Sequence, residues 1–237
     1  MIYSQNKKVS AFFCGADAKL STIGALALIE DSLTELMGEL ELDGVTVIKK
    51  YNALLLFTKN KVIFTGSANW KDDITVSSFI SFKSLAKLHI DTVIKKQSDI
   101  VAYSRIEICA IDLETKKIRK VESIGVTKAT EVHDALIDLS FSKKQPIDME
   151  FVESVLVRSS NIDYAQHTNN IEYVRFLINT MPVKTLVEHP LKSMQLDYLS
   201  QSHEGDTLKI YRAVESDKCD FEIRLDDKPV FSCEMIW

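Results

Sequence analysis

The apolar positions of this chain fall into two periods that alternate along its length. Val9 to Cys14 is a short apolar run, read as a strand. Beyond it, Ile23, Leu26, Ile29, Leu33, Leu36, Met37 and Leu40 recur at spacings of three and four. Such spacing puts them on one face of a helix of about five turns. Ser21 or Thr22 is placed to cap that helix, and Asp43-Gly44 to end it. Gly24 costs the helix about 1 kcal/mol against Ala, so its expected use is the close approach of another backbone. From Val45 to Ser123 the period changes. VIKKYNALLLF, KVIF, ITVSSFISF, KLHIDTVI, DIVAYSRIEICAI and KIRKVESI are β-branched and aromatic runs, with turns expected at Lys59-Asn60, Gly66 to Asp73 and Asp112 to Thr115. Ile106, Ile108 and Ala110 alternate with Arg105, Glu107 and Cys109, as suits an antiparallel sheet with one face on a core.

The plan then repeats. Residues 125–150 are weakly patterned and carry the polar cluster Ser142, Lys143, Lys144, Gln145 before Pro146, read as a link. Val157 to Met181 combines a strand end, a polar turn and a helix marked by Ile171, Val174, Leu177, Ile178 and Met181. KSMQLDYLSQ, TLKIYRAV, CDFEIRL and VFSCEMIW are four strands, expected as a meander and divided by HEGD, ESD and DDKP. Aligning the two polar turns sets Asp17 opposite Asp163 and Ser21 opposite His167, the signature of a duplication. The expected fold class is α+β: two tandem hotdog domains, each a long helix wrapped by an antiparallel sheet, covering each other's open face and edge as a pseudo-dimer. The expected boundaries are 1–124, a linker over 125–150, and 151–237 carrying the candidate site.

Charge and composition narrow the function classes. With 46% apolar and 27% charged residues the chain has material for a sizeable core. A net charge of -5 disfavours nucleic acid, whose phosphates need a concentrated basic surface. Cys14, Cys109, Cys219 and Cys233 lack any C-x-x-C spacing and are read as reduced thiols, not as zinc ligands or disulfides. His89, His133, His189 and His203 are scattered without ligand spacing, and Gly15-Ala16-Asp17 lacks the pattern of a phosphate loop, so no metal and no cofactor are expected. Membrane insertion is not expected, because no stretch approaches the ~20 apolar residues a span requires and the N-terminus has no apolar leader core. The cytoplasm is the default compartment.

The candidate chemistry lies in the second polar turn. Asp163 and His167 stand four apart, just before Asn169, Asn170 and the periodic helix, where a helix N-terminus favours negative charge. Spacing alone is met as well by a structural reading. In it Asp163 caps the turn, Asn169 caps the helix with Glu172 completing the cap three residues on, and His167 is an ordinary turn residue.

The stretch resembles the D-x-N-x-H-x-N-N-x-x-Y segment of the acyl-ACP thioesterases, with Asp163, His167, Asn169, Asn170 and Tyr173 in register and Ala165 in place of the asparagine. NWKDDITV, AYSRIEICAID and MQLDYLSQS are similar to three further segments of that family. The departures there are Asn69 for proline, Glu107 for tryptophan, Gln201 for glutamate and Ser202 for cysteine. The resemblance implies hydrolysis of a fatty acyl thioester, releasing the fatty acid from acyl carrier protein. Asp163 would activate water or attack directly, with Gln201 at the assisting position. His167, with the N–H groups of Asn169 and Asn170, would orient the substrate and hold the oxyanion, and Tyr173 would stand at the substrate. Leu26, Ile29 and Leu33 would shape an apolar slot for the acyl chain. Two other readings stay open: an acyl-CoA thioesterase, and an acyl-binding protein without hydrolysis, since Ala165 and Gln201 remove two polar groups. A site rewired through His203 or Glu204 is a third arrangement. The expected partners are acyl carrier protein and a fatty acyl thioester, with homodimerisation open. Lys49-Lys50, Lys95-Lys96, Lys116-Lys117 and Lys143-Lys144 are ordinarily solvated strand ends, and also the patches an acidic carrier would need.

Overall fold

A computed structural model describes residues 1–127, 130–143 and 147–237. Lys144 of the last basic pair, and Gln145 and Pro146 of the expected link, lie outside the described residues. The chain divides into two compact units, one of Met1–Cys14 with Ala18–Ser140, the other of Gly15–Asp17 with Phe141–Trp237.

Unit 1 opens with strand β1 (Ile2–Lys8), where no strand was expected, while the expected strand at Val9 to Cys14 holds a 3-10 turn at Ala11–Phe13. β1 is an edge strand pairing only β3, so one row of alternate side chains suffices and its composition stays polar. Helix α1 (Thr22–Glu39) follows, with the Ser21 hydroxyl accepting from Gly24 N at 3.0 Å. A Cβ on Gly24 would stand 2.1 Å from the Phe13 carbonyl oxygen, which is the close approach the glycine serves. Val47 to Tyr51, the start of the expected strand VIKKYNALLLF, lie in helix α2 (Gly44–Tyr51): the Asp43 side chain accepts from Thr46 N at 2.9 Å, and the cap overrides the β-branched composition.

The strands of unit 1 are β2 (Ala53–Phe64), β3 (Asp73–Lys83), β4 (Lys87–Lys96), β5 (Asp99–Asp112) and the two-residue β6 (Ile118–Arg119). They run antiparallel in the order β1-β3-β4-β5-β2, with β6 on β5. β2 is one strand, and Lys59-Asn60 is no turn; the register instead shifts between Phe57 and Lys59, a bulge that leaves both flanks paired to β5. α1 lies on β3 and β4 with Leu26, Ile29, Leu33 and Leu36 buried, and a hydroxyl chain Ser32–Ser78–Thr92 (2.8 and 2.7 Å) crosses the same contact. At β5, Glu107 is buried. Burial pushes its carboxyl up, but Lys87 (2.7 Å) and Thr58 (2.8 Å) outweigh this and hold it below the usual carboxylate range.

Residues 130–140 run without regular structure along this sheet, pinned by a buried ionic network. Asp91, fully buried, accepts twice from Arg105 at 2.8 Å and also from Tyr103 and Ser81. Arg105 then donates to Leu139 O at 2.6 Å, and the Tyr103 oxygen accepts from Leu136 N at 3.1 Å. Val93, Tyr103 and Leu139 close the cluster with Ile63, Ile100 and Ile137.

Unit 2 holds β7 (Glu150–Leu156), a 3-10 turn at Ser159–Asn161, α3 (Asn170–Asn179), α4 (Val183–Glu188), β8 (Ser193–Tyr198), β9 (Thr207–Val214), β10 (Lys218–Leu225) and β11 (Lys228–Ile236). The sheet order is β8-β11-β10-β9-β7, so the expected four-strand meander is a three-strand one, with β8 beside β11. Residues 199–206 between β8 and β9 form a connection that crosses, not a hairpin, and this frees them to reach the polar turn. Tyr173 of α3 stacks on Phe231 of β11 at 5.1 Å, and Tyr198 of β8 leans on the same ring.

The two halves repeat locally with an offset of 148 residues. β1 and β7, the two 3-10 turns, the bridges Cys14–Leu20 and Ile162–Thr168, and the caps Ser21 and Asn169 all correspond. So do the left-handed residues Ala18 and Gln166 (φ 59° and 67°). This corrects the alignment expected from the sequence by two positions: Asp17 corresponds to Ala165, and His167 to Lys19. The four cysteines, Cys14 partly exposed and the other three buried, form no disulfide, and burial pushes the Cys219 thiol up to about 11.

Candidate active site

The turn that carries the site is closed by its own backbone. Ile162 pairs with Thr168, Asp163 N donates to His167 O at 2.9 Å, and Gln166 N donates to Asp163 O at 3.0 Å. The Asp163 carboxylate accepts from Ala165 N at 2.8 Å and from His167 N at 3.3 Å. Asp163 therefore builds the turn that presents His167, and the two expected residues are brought together. The structural reading of Asp163 as the residue that caps the turn holds, because one carboxylate oxygen, Oδ1, takes both backbone donors.

The helix mouth follows at once. Asn169 Oδ1 caps α3 by accepting from Ile171 N at 2.8 Å. Glu172 does not complete a box with it; its carboxylate accepts from Asn161 Nδ2 (2.7 Å) and Arg175 (2.8 Å). The Asn169 amide donates to Asn161 O at 2.8 Å, so it is committed to the fold and is not an oxyanion donor as expected. Asn170 N–H, on the first residue of α3, is left as the donor the helix mouth can offer, since the first amides of a helix have no intrahelical acceptor.

Tyr173, expected at the substrate, is buried. Its hydroxyl meets Ser202 Oγ at 2.8 Å and accepts from Ser202 N at 3.2 Å, because its ring is stacked into the core on Phe231. Thr168 Oγ1 lies 2.7 Å from the same Ser202 Oγ, and Thr168 N donates to Ser202 O at 2.9 Å. This buried trio of hydroxyls ties the β8–β9 connection to the turn. Thr168 and Ser202 have no sequence signal as anchors beyond small hydroxyls flanking the motif.

That tie decides which neighbour of Ser202 faces the site. Gln201 is exposed, and among the described residues it makes no hydrogen bond to Asp163 or His167. His203 instead places its ring 5.0 Å from that of His167, with Nδ1 3.3 Å from Gln166 O. Burial, and then His203, hold His167 below the ordinary imidazole range, against the opposing pull of Asp163. Leu26, Ile29 and Leu33 belong to unit 1, where all three are sealed in its core.

Comparison with known proteins gives the setting. Residues 144–237 match the model of the acyl-ACP thioesterase C-terminal domain. The chain is 22% identical over 230 residues to the chloroplastic palmitoyl-acyl carrier protein thioesterase of Arabidopsis thaliana, covering 90% of this chain and 55% of that one. For the Gossypium hirsutum protein of the same name the figures are 18% over 250 residues, 99% and 59%. The chain thus spans a little over half the length of these relatives. Among solved structures, the 12:0-ACP thioesterase from Umbellularia californica superposes with a TM-score of 0.90 at 14% identity, covering 100% of this chain and 96% of that one. An acyl-ACP thioesterase from Bacteroides thetaiotaomicron gives 0.82 at 14% identity, over 99% and 97%.

Proposed function

We propose that the chain is an acyl-ACP thioesterase, on the match of residues 144–237 to that family's C-terminal domain and the likeness to the plant enzymes, and that it hydrolyses fatty acyl thioesters of acyl carrier protein, in the cytoplasm. The observation that carries this reading is the turn Asp163–His167, closed on itself directly ahead of the capped N-terminus of α3. Thioester hydrolysis needs a water relieved of a proton and donors for the oxyanion that grows on the carbonyl oxygen. Asn170 N–H, at the positive end of α3, suits the second task. Asp163 supplies negative charge beside His167, and His167, held below the ordinary imidazole range, can accept or donate in the site. Leu26, Ile29 and Leu33, on the apolar face of α1, are the proposed wall for the acyl chain.

The test is a panel of acyl-ACP and acyl-CoA substrates of graded chain length, assayed for free fatty acid, with binding measured in parallel. Hydrolysis of acyl-ACP in preference to acyl-CoA supports the proposal. Binding without release of fatty acid would overturn it in favour of an acyl-binding protein.

A further inference from the structure

Position 201 holds glutamine, which cannot serve as a base, and it faces outward; yet two residues further along a second imidazole stands against His167. We infer that His203 is a catalytic residue of this chain, accepting the proton of the attacking water in the place that position 201 does not fill. The inference rests on the hydrolytic reading given above.

Three features of the geometry support it. First, His203 is held. Its N–H donates to Asp206 Oδ2 at 2.8 Å, Asp206 N returns a bond to His203 O at 3.1 Å, and Gly205 turns the chain at φ 90°, a conformation that glycine adopts without a Cβ penalty. Second, the preceding Ser202 is locked by Thr168 and Tyr173, so the loop cannot swing its imidazole away without breaking a buried hydroxyl network. Third, Nδ1 meets a carbonyl oxygen, that of Gln166, and a carbonyl only accepts. The proton of the neutral ring is therefore on Nδ1, and Nε2 presents its lone pair as a base. His203 is exposed, so water reaches Nε2, while His167 is partly enclosed.

In the resulting step the water oxygen bonds to the thioester carbonyl carbon as His203 Nε2 takes one water proton. The carbonyl π pair moves to the oxygen, which Asn170 N–H faces. Collapse restores the C=O bond and breaks the C–S bond, and the proton on Nε2 passes to the leaving sulfur. Water and acyl thioester give carboxylic acid and thiol with no further reactant.

The experiment compares the parent chain with His203→Asn and His203→Ala on one acyl-ACP substrate. Asparagine can keep the donor to Gln166 O but cannot take a proton. Both variants should lose turnover by on the order of a hundredfold, the usual range for one general base, with KM changed less than about twofold. Added imidazole should restore part of the turnover of His203→Ala and none of that of His203→Asn, whose side chain fills the space. Parent-like turnover in either variant, a loss expressed in KM, or absence of imidazole rescue in the alanine variant would each overturn the assignment of His203 while leaving hydrolysis itself standing. A parent chain that releases no fatty acid from any thioester would instead overturn the hydrolytic reading, and this inference with it.

Discussion

Asp163 and His167 depend on each other because the same carboxylate that stands beside the imidazole also holds its backbone. Asp163→Asn keeps an oxygen for Ala165 N and His167 N, so it should fold normally and lower turnover by roughly a hundredfold through lost charge, as removal of one electrostatic partner does. His167→Ala should lower turnover to a similar degree, and circular dichroism of both variants should match the parent. The depressed pKa of His167 also makes a stability prediction. A folded state that disfavours the charged ring contributes stability that is present in full above the unfolded value of about 6.5 and is lost as pH falls from there through the folded value. His167→Gln, which cannot titrate, should therefore gain on the parent in thermal unfolding as pH is lowered from about 8 to about 5. A constant difference across that range would contradict the placement of His167. At this scale the sequence was informative about the pair and about Asn169 as a cap. It set Gln201 at the assisting position, whereas which of three consecutive loop residues faces inward depends on Ser202 meeting Thr168 and Tyr173 across about thirty residues of chain.

Among the elements, α1 was legible at its start and along its stripe but not at its end, since it stops at Glu39 and Asp43-Gly44, expected to close it, opens α2 instead. Its Ser21 cap, its apolar stripe and the role of Gly24 all follow from pattern and propensity, and the structure agrees with each. Gly24→Ala separates propensity from packing. Helix propensity predicts a gain of about 1 kcal/mol, whereas a Cβ 2.1 Å from the Phe13 oxygen requires backbone to move. We expect a loss of about 1–3 kcal/mol by urea unfolding, the range for overpacking; a gain would show that the approach of the Phe13 segment is adjustable. α2 and β1 were not legible. Val45 to Tyr51 has strand composition but a capping aspartate, and one local hydrogen bond at the helix start outweighs small β-propensity differences. β1 is polar because an edge strand buries little, and the pairing partner that makes it a strand is some seventy residues away. Ile29→Phe belongs to this scale as well: if α1 walls the acyl chain, filling its buried face should move the preference to shorter chains, at about 0.8 kcal/mol for each methylene excluded. An unchanged chain-length profile in a folded variant would remove α1 from the binding wall.

For the molecule as a whole, the duplication was visible in the order of elements, but its register was not. Aligning acidic and hydroxyl residues matched Asp17 to Asp163, whereas caps, bridges and left-handed residues fix the offset at 148 and set Lys19 where His167 stands. The backbone repeat is retained in both copies, while Gly15 and Lys19 stand in the first where Asp163 and His167 stand in the second. Cooperative stability should rest heavily on the buried ion pair of unit 1. Asp91→Asn leaves Arg105 without its carboxylate and loosens residues 130–140, and should cost about 3–5 kcal/mol, the usual consequence of removing one partner of a buried pair.

The most direct test of the whole account is release of free fatty acid from acyl-ACP by the parent chain and by His167→Ala at equal, folded concentrations. The account predicts steady turnover by the parent and a loss of about a hundredfold in the variant, in line with removal of one acid–base group. Equal rates in the two proteins would contradict it, because the turn ahead of α3 would then not be where the thioester is cleaved.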